Sequence, residues 1–165
     1  MIKVKNKIKL VIWDLDETFW DGTLSEGGIS YNQENHQLII KLAERGIVSS
    51  ICSKNDEATT LSVLKDYGIL DYIVSPRISW NPKGAVIHQL VKDLGLRAEN
   101  VLFIDDNLMN LHEAVDFCNG LSVCTPDHIK ELTSISWLAG KKDKAMTRLS
   151  QYKVLEKKLS AQSVT

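Results

Sequence analysis

The sequence lacks the features of a secreted or membrane-spanning protein. Its three cysteines are an odd number in apolar surroundings, so we expect no disulfide framework and favour a reducing compartment, the cytoplasm by default. No apolar run approaches the length of a membrane span, and the first residues lack the continuous apolar core of a signal peptide. We therefore predict a soluble, unprocessed protein with no membrane partner.

The sequence also lacks an excess of charge of either sign. Twenty Lys and Arg against 21 Asp and Glu give a formal net charge of -1. This balance supplies no global reason to bind nucleic acid, so any anion site must be local. With 165 residues, 44% of them hydrophobic, the chain fits one compact core, predicted over residues 1–139 and followed by a basic amphipathic tail helix over 140–165.

Apolar runs of strand length alternate with segments of helical period along most of the chain. This alternation predicts a Rossmann-like α/β fold, in which a central parallel sheet lies between two helical layers. The predicted strands are Ile8–Trp13, Ile47–Cys52, Asp71–Ser75, Val101–Ile104 and Leu121–Cys124. A glycine-rich stretch after the first strand predicts a short hairpin flap, and the segments between motifs are too short for a cap domain.

Polar side chains follow several of these strands. Asp14 and Asp16 end the first strand, Ser53 follows the second, and Asp105 and Asp106 follow the fourth. Ligands bind at the carboxyl ends of strands in open α/β sheets, so we expect these groups to converge. A buried carboxylate needs a cation or several hydrogen-bond donors, which makes a site a better interpretation than a turn.

The converging groups have the chemistry of phosphoryl transfer. Carboxylates suit a hard cation such as Mg²⁺, which neutralises phosphate charge. Lys83 opens a helix directly after Pro82, where a fixed positive charge adds to the helix dipole, and Ser53 can donate to a phosphate oxygen. Asp14 and Asp16 can divide the roles of nucleophile and proton donor.

Here the residues carry a family resemblance. The stretch Asp14–Thr18 (DLDET) resembles the D-x-D-x-T motif of the haloacid dehalogenase (HAD) superfamily, and Ser53, Lys83 and the Asp105–Asp106 pair resemble its other three motifs in the expected order. Finer matches resemble the FkbH-like, or subclass IIIC, phosphatases. Those stretches are DLDETFWDGTLSEGG, ICSKND, ISWNPK and VLFIDDN, with Arg148 and Tyr152 in the tail.

The resemblance implies a mechanism and a set of roles. Asp14 would become an aspartyl phosphate, and Asp16 would protonate the leaving oxygen and then deprotonate water. The Asp14 carboxylate, the Asp16 backbone carbonyl and Asp105 would hold Mg²⁺, with Asp106 close by or acting through water. Phosphate contacts are expected from Thr18, Ser53, Lys83 and Asn55. The one departure is Glu17, which lies between catalytic positions without replacing one.

The resemblance also leaves alternatives open. The substrate would be a phosphorylated metabolite or a carrier-bound compound. Some FkbH-like proteins instead transfer a glyceryl group from 1,3-bisphosphoglycerate to an acyl carrier protein, and Cys52 would then be the acyl-carrying thiol. A third hypothesis is a non-catalytic scaffold that binds phosphate. Trp20, in the flap, is the candidate for substrate contact, and an open site could take its lid from the tail helix or from a second copy in a homo-oligomer.

Overall fold

The computed structural model describes residues 7–132 and 141–163. In chain order the strands are β1 (Leu10–Trp13), β2 (Asp21–Thr23), β3 (Gly28–Ser30), β4 (Val48–Ser53), β5 (Arg77–Ile78), β6 (Val101–Ile104) and β7 (Ser122–Cys124). The helices are α1 (Gln33–Ala43), α2 (Glu57–Asp66), α3 (Lys83–Asp93), α4 (Leu108–Phe117) and α5 (Thr147–Ser163).

Five parallel strands form the central sheet in the order β5-β4-β1-β6-β7. All four residues of β1 are buried, and their side chains alternate between two apolar clusters. Val11 and Trp13 pack with residues of α1 and α2, whereas Leu10 and Ile12 pack with residues of α3, α4 and α5. This alternation follows from the two-residue period of a strand, and it confirms the predicted three-layer α/β/α architecture.

The flap is an antiparallel hairpin of β2 and β3 between β1 and α1, as the glycines predicted. Asn32 ends the flap and caps α1, because its side chain accepts from the Asn35 backbone N–H. Within residues 7–132 no further domain is inserted between the motifs, so the carboxyl ends of the strands are uncapped.

The third strand differs from its prediction. Leu70–Tyr72 is a turn of 3₁₀-helix, Ile73 makes only an isolated bridge to Ser49, and pairing with β4 comes from Arg77–Ile78. Ser75 has a left-handed φ of 47°, and Pro76 follows it without an N–H to donate. These two residues interrupt the pairing that the β-forming stretch before them would otherwise extend.

Helix α5 packs near the amino-terminal ends of the strands, away from Asp14 and Asp105. Leu149 is buried in the cluster beneath α3, and Lys153 Nζ donates to the Ile73 carbonyl at 2.7 Å. Because Ile73 is bridged to Ser49 near the amino end of β4, α5 contacts the half of the sheet opposite the predicted site residues. The predicted boundary at residues 139 and 140 lies outside the described residues. None of the helices in the described ranges is long and apolar enough to cross a membrane.

Candidate active site

The predicted motifs meet at the carboxyl edge of the sheet. Asp14 directly follows β1, and its N–H donates to the Ile104 carbonyl of β6 at 2.9 Å, which aligns it with Asp105 at the end of β6. Ser53 ends β4 on the other side of β1. The strand order therefore brings together residues that lie far apart in the chain.

Three carboxylates form a compact cluster there. Asp14, Asp105 and Asp106 each offer one oxygen, and these oxygens lie within 4.8 Å of one another. Asp14 and Asp105 are buried, whereas Asp106 is exposed. A small set of hard oxygen ligands with an open side matches what Mg²⁺ takes from proteins, since this ion keeps several waters. The donor set therefore fits Mg²⁺.

Lys83 is the cation among these carboxylates. It is 3% exposed, and its Nζ lies 2.7 Å from Asp14 Oδ1 and 2.8 Å from Asp105 Oδ2. Burial lowers the pKa of Lys83, but the Asp14 and Asp105 carboxylates together outweigh burial and raise the pKa above its ordinary value. Lys83 therefore stays charged, and the first residue of α3 carries its charge into the centre of the cluster.

For Asp14, in contrast to Lys83, the raised pKa favours the uncharged form. Burial raises the pKa of Asp14, the nearby Lys83 ammonium lowers it and the Asp105 carboxylate raises it, and the net result is a rise from 3.8 to about 8. Without a metal ion the cluster therefore has too little positive charge for all of its carboxylates. A bound divalent cation would supply that charge and favour the ionised form of Asp14.

Mg²⁺ binding is expected to release protons. Between pH 3.8 and about 8 the folded metal-free chain holds the Asp14 proton more tightly than the unfolded chain does, so this group's contribution to stability falls as the pH rises. A cation that binds the carboxylate must displace the proton. Calorimetric titration with Mg²⁺ in two buffers of different ionisation enthalpy should give different heats. Equal heats would contradict the prediction, and Asp14→Asn should remove the difference.

Thr18 connects the two sides of the acid cluster. Its hydroxyl lies 3.0 Å from Asp14 Oδ2 and 3.2 Å from Asp106 Oδ1, and its oxygen accepts from the Asp106 backbone N–H at 3.1 Å. The chain reaches this position through Glu17, whose φ of 58° is left-handed. Thr18 thus lies beside the predicted nucleophile, where a phosphate contact was expected.

Asp16 is directed toward the flap instead of the acid cluster. Its Oδ1 accepts from Trp20 Nε1 at 2.9 Å and from the Leu24 N–H at 3.0 Å, and its Oδ2 accepts from Asn55 Nδ2 at 3.1 Å. The same Asn55 nitrogen donates to Ser53 Oγ at 2.9 Å. Asn55 therefore connects the loop after β4 with Asp16.

Trp20, the predicted substrate contact, is buried in this structure. Trp20 is 0% exposed, its ring packs edge-on against Phe19, and its indole N–H is used by Asp16. A buried indole needs an acceptor for its N–H, and Asp16 supplies one. Among the tryptophans that the structure describes, Trp80 is the exposed one, at 69%, and it lies three residues before Lys83 in the sequence.

Cys52 lies in the apolar cluster beneath the site. It is 2% exposed, and burial raises the pKa of its thiol to about 12. A thiol nucleophile needs exposure and a lowered pKa, because the thiolate is the reactive form. This environment is unfavourable to the acyl-carrying role.

Two asparagines that support the site were missed at the sequence level. Asn110 donates to Asp105 Oδ2 at 3.1 Å from the first turn of α4. Asn35 is buried and donates to the Thr18 and Phe19 carbonyls at 3.3 and 2.9 Å, holding the turn between β1 and the flap. The sequence did contain an indication of the role of Asn35, because this polar residue shares the apolar face of α1 with Leu38 and Ile39.

No protein-family model and no curated protein matches the sequence. Solved structures do match the fold. The N-terminal part of BF1531 from Bacteroides fragilis, containing a phosphatase domain complexed with Mg, aligns with a TM-score of 0.66 at 22% identity over 89% of this chain. This chain spans 40% of the length of that structure.

Two further matches are octulosonate 8-phosphate phosphatases. The cobalt-bound deoxy-D-mannose-octulosonate 8-phosphate phosphatase from Haemophilus influenzae has a TM-score of 0.59 at 21% identity, covering 92% of this chain and 90% of its own. The Moraxella catarrhalis enzyme, in complex with magnesium, phosphate and KDO, has a TM-score of 0.55 at 20% identity, covering 95% and 92%. With its five-stranded parallel sheet and flanking helices, the chain shares a Rossmann-like α/β fold with these structures.

Proposed function

We propose that this protein is a Mg²⁺-dependent phosphohydrolase that acts through a phosphorylated Asp14. The observation that carries the proposal is the setting of the Asp14 carboxylate. It is hydrogen-bonded to Lys83 and to Thr18 and lies within the cluster of Asp105 and Asp106. A nucleophile, a fixed cation and a set of metal ligands are thereby present at one point, as phosphoryl transfer requires.

The reaction would take place in two steps. An Asp14 oxygen attacks phosphorus, the bond to the leaving oxygen breaks, and Asp16 gives that oxygen a proton. Water then attacks the phosphoryl group, Asp16 takes a proton from this water, and the bond from Asp14 to phosphorus breaks. Asp14, Asp105 and Asp106 would hold Mg²⁺, which supplies positive charge for the phosphoryl oxygens.

Lys83 makes the acidic site accessible to an anionic substrate. A phosphate ester is negatively charged, and the cluster it approaches already contains three carboxyl groups. The Lys83 ammonium is held by hydrogen bonds to Asp14 and Asp105, so its charge needs no rearrangement when the transition state forms. The structural neighbours support the proposal, since the Moraxella catarrhalis phosphatase was solved with magnesium and phosphate bound.

We further propose that the chain belongs to the FkbH-like branch of the superfamily and takes a phosphorylated metabolite or a carrier-bound phosphate ester. The support comes from the stretches ICSKND and VLFIDDN and from the uncapped strand ends. Acyl transfer through Cys52 has less support, because that thiol is buried. A non-catalytic scaffold also has less support, because Asp14, Asp16 and Asp105 are all retained.

Phosphate release from a panel of phosphate esters tests the proposal. We expect release in the presence of Mg²⁺ and its loss when the metal is chelated, restored by adding Mg²⁺ back. The panel should contain sugar phosphates, phosphorylated acids, an aryl phosphate and phosphorylated peptides. Absence of release from every ester, together with an acyl adduct on Cys52 after incubation with 1,3-bisphosphoglycerate, would favour the transferase alternative.

A further inference from the structure

The two oxygens of the Asp16 carboxylate have different partners. Oδ1 accepts two N–H groups, from the Trp20 indole at 2.9 Å and from the Leu24 backbone at 3.0 Å. Oδ2 accepts one, from the Asn55 side chain at 3.1 Å. A carboxylate oxygen offers about two lone-pair directions. Among the residues that the structure describes, Oδ1 therefore has a partner for each direction, whereas Oδ2 keeps one direction free.

We infer that Trp20 is a positioning residue that selects the oxygen of Asp16 from which a proton is delivered. This inference rests on the proposed function, in which Asp16 protonates the leaving oxygen. A proton on Oδ1 would compete with two N–H donors, so the proton belongs on Oδ2. The Trp20 indole and the Leu24 N–H together hold Oδ1 at the base of the flap, while Oδ2 faces Asn55 in the loop after β4.

The bonds and the proton that change in the first chemical step show why the choice between the two Asp16 oxygens matters. A bond forms between an Asp14 oxygen and phosphorus while the bond to the leaving oxygen breaks, and the proton moves from Asp16 Oδ2 to that oxygen. Asp16 ends the step as a carboxylate. An alkoxide is a poor leaving group and needs this proton, whereas a strongly acidic phenol leaves without it. Mispositioning the acid should therefore affect alkyl esters most.

The rigidity of the indole supports a positioning role. Trp20 is 0% exposed, and its backbone N–H lies 3.3 Å from the Leu15 carbonyl, within the turn that follows β1. Trp20 and Leu24 stand immediately before and after β2. The two donors to Oδ1 therefore come from both ends of one strand of the flap, which fixes the carboxylate more firmly than a single mobile side chain would.

The test is Trp20→Phe, which keeps an aromatic ring and removes the N–H. We expect kcat/KM for alkyl phosphates to fall about 10- to 100-fold, a part of the usual contribution of acid catalysis, and kcat/KM for 2,4-dinitrophenyl phosphate to fall less than about 3-fold. The value of kcat/KM reports only the steps up to release of the alcohol or phenol. The later hydrolysis of the phosphoenzyme therefore does not affect it.

Trp13→Phe is the matched control. Trp13 is also 0% exposed in the same apolar cluster, and its Nε1 donates to Ser49 Oγ at 3.1 Å instead of to Asp16. It should change kcat/KM for the two ester classes by the same factor. If Trp20→Phe folds poorly, replacing Trp20 with β-(3-benzothienyl)alanine removes the N–H at almost constant size.

Each outcome decides the inference. A selective loss on alkyl esters in the Trp20 variants supports it. An equal loss on both ester classes, or no loss, would overturn it while leaving the proposed function in place. Absence of Mg²⁺-dependent turnover in the wild-type chain would overturn the proposed function itself, and this inference with it.

Discussion

Asp14→Asn is expected to reduce phosphate-ester turnover by about 10⁴-fold or more, because an amide is a poor nucleophile and the covalent intermediate cannot form. The fold should survive, since Lys83 keeps Asp105 as a partner at 2.8 Å and the substitution removes a carboxyl group whose ionisation burial opposes. Steady-state turnover measures the loss of activity. Intact mass after rapid acid quench measures the loss of the intermediate, because the wild-type chain should gain one phosphoryl group and the variant none.

Asp116→Asn is the control for Asp14→Asn. Asp116 is exposed on α4, so the same chemical change there should leave turnover and the mass adduct as in the wild type. Full turnover in Asp14→Asn, or a phosphoryl adduct that persists in it, would exclude Asp14 as the nucleophile. A folded but inactive variant is therefore required, and the free energy of unfolding must be measured beside the rate.

Lys83→Met is expected to destabilise the metal-free protein by about 3–5 kcal/mol, because removing one partner of a buried ion pair leaves its partners uncompensated. Here two carboxylates lose their cation, since Lys83 Nζ contacts both Asp14 and Asp105. Part of the loss is relieved below about pH 8, because the raised pKa of Asp14 keeps this carboxyl group protonated. Turnover should also fall by about 100-fold or more, because a preorganised charge at the phosphoryl group is lost.

Mg²⁺ separates the electrostatic cause from a packing defect. We expect the ion to raise the free energy of unfolding of Lys83→Met by more than that of the wild type, because it replaces the missing positive charge among the same carboxylates. Chemical denaturation with a chelator and with Mg²⁺ measures the difference. Lys92→Met, an exposed change on the same helix, should stay within about 0.5 kcal/mol of the wild type under both conditions. Equal effects of Mg²⁺ on Lys83→Met and wild type would contradict this explanation.

The placement of the site was predictable because parallel strands align their carboxyl ends. Asp14, Ser53 and Asp105 needed only correct strand ends to be placed along one edge, and β6 has the predicted bounds of Val101–Ile104. Strong apolar runs and a helix capped by Asn107 define these ends locally. The local sequence pattern was therefore sufficient to predict the bounds of an element that begins or ends at a polar residue.

The direction of individual side chains was not predictable in the same way. Trp20 lies in a flap whose composition indicates exposure, yet its ring is buried and its N–H is directed to Asp16. The position of β5 also depended on tertiary contacts, because Ser75 turns the chain with a positive φ before Arg77 pairs with Cys52. Trp20 is buried in a cluster that includes Leu132, and β5 pairs with β4, so both outcomes also involve neighbours distant in sequence, which periodicity does not report.

The interruption before β5 also bears on how copies of this chain behave toward one another. An open sheet edge is a template for pairing with another molecule, and a net charge of -1 gives little repulsion between copies. At this edge the strand is only two residues long, Pro76 precedes it, and Arg77 forms an ion pair with Asp93 at 3.0 Å. The turn that shortens β5 thus protects the protein against edge-to-edge aggregation.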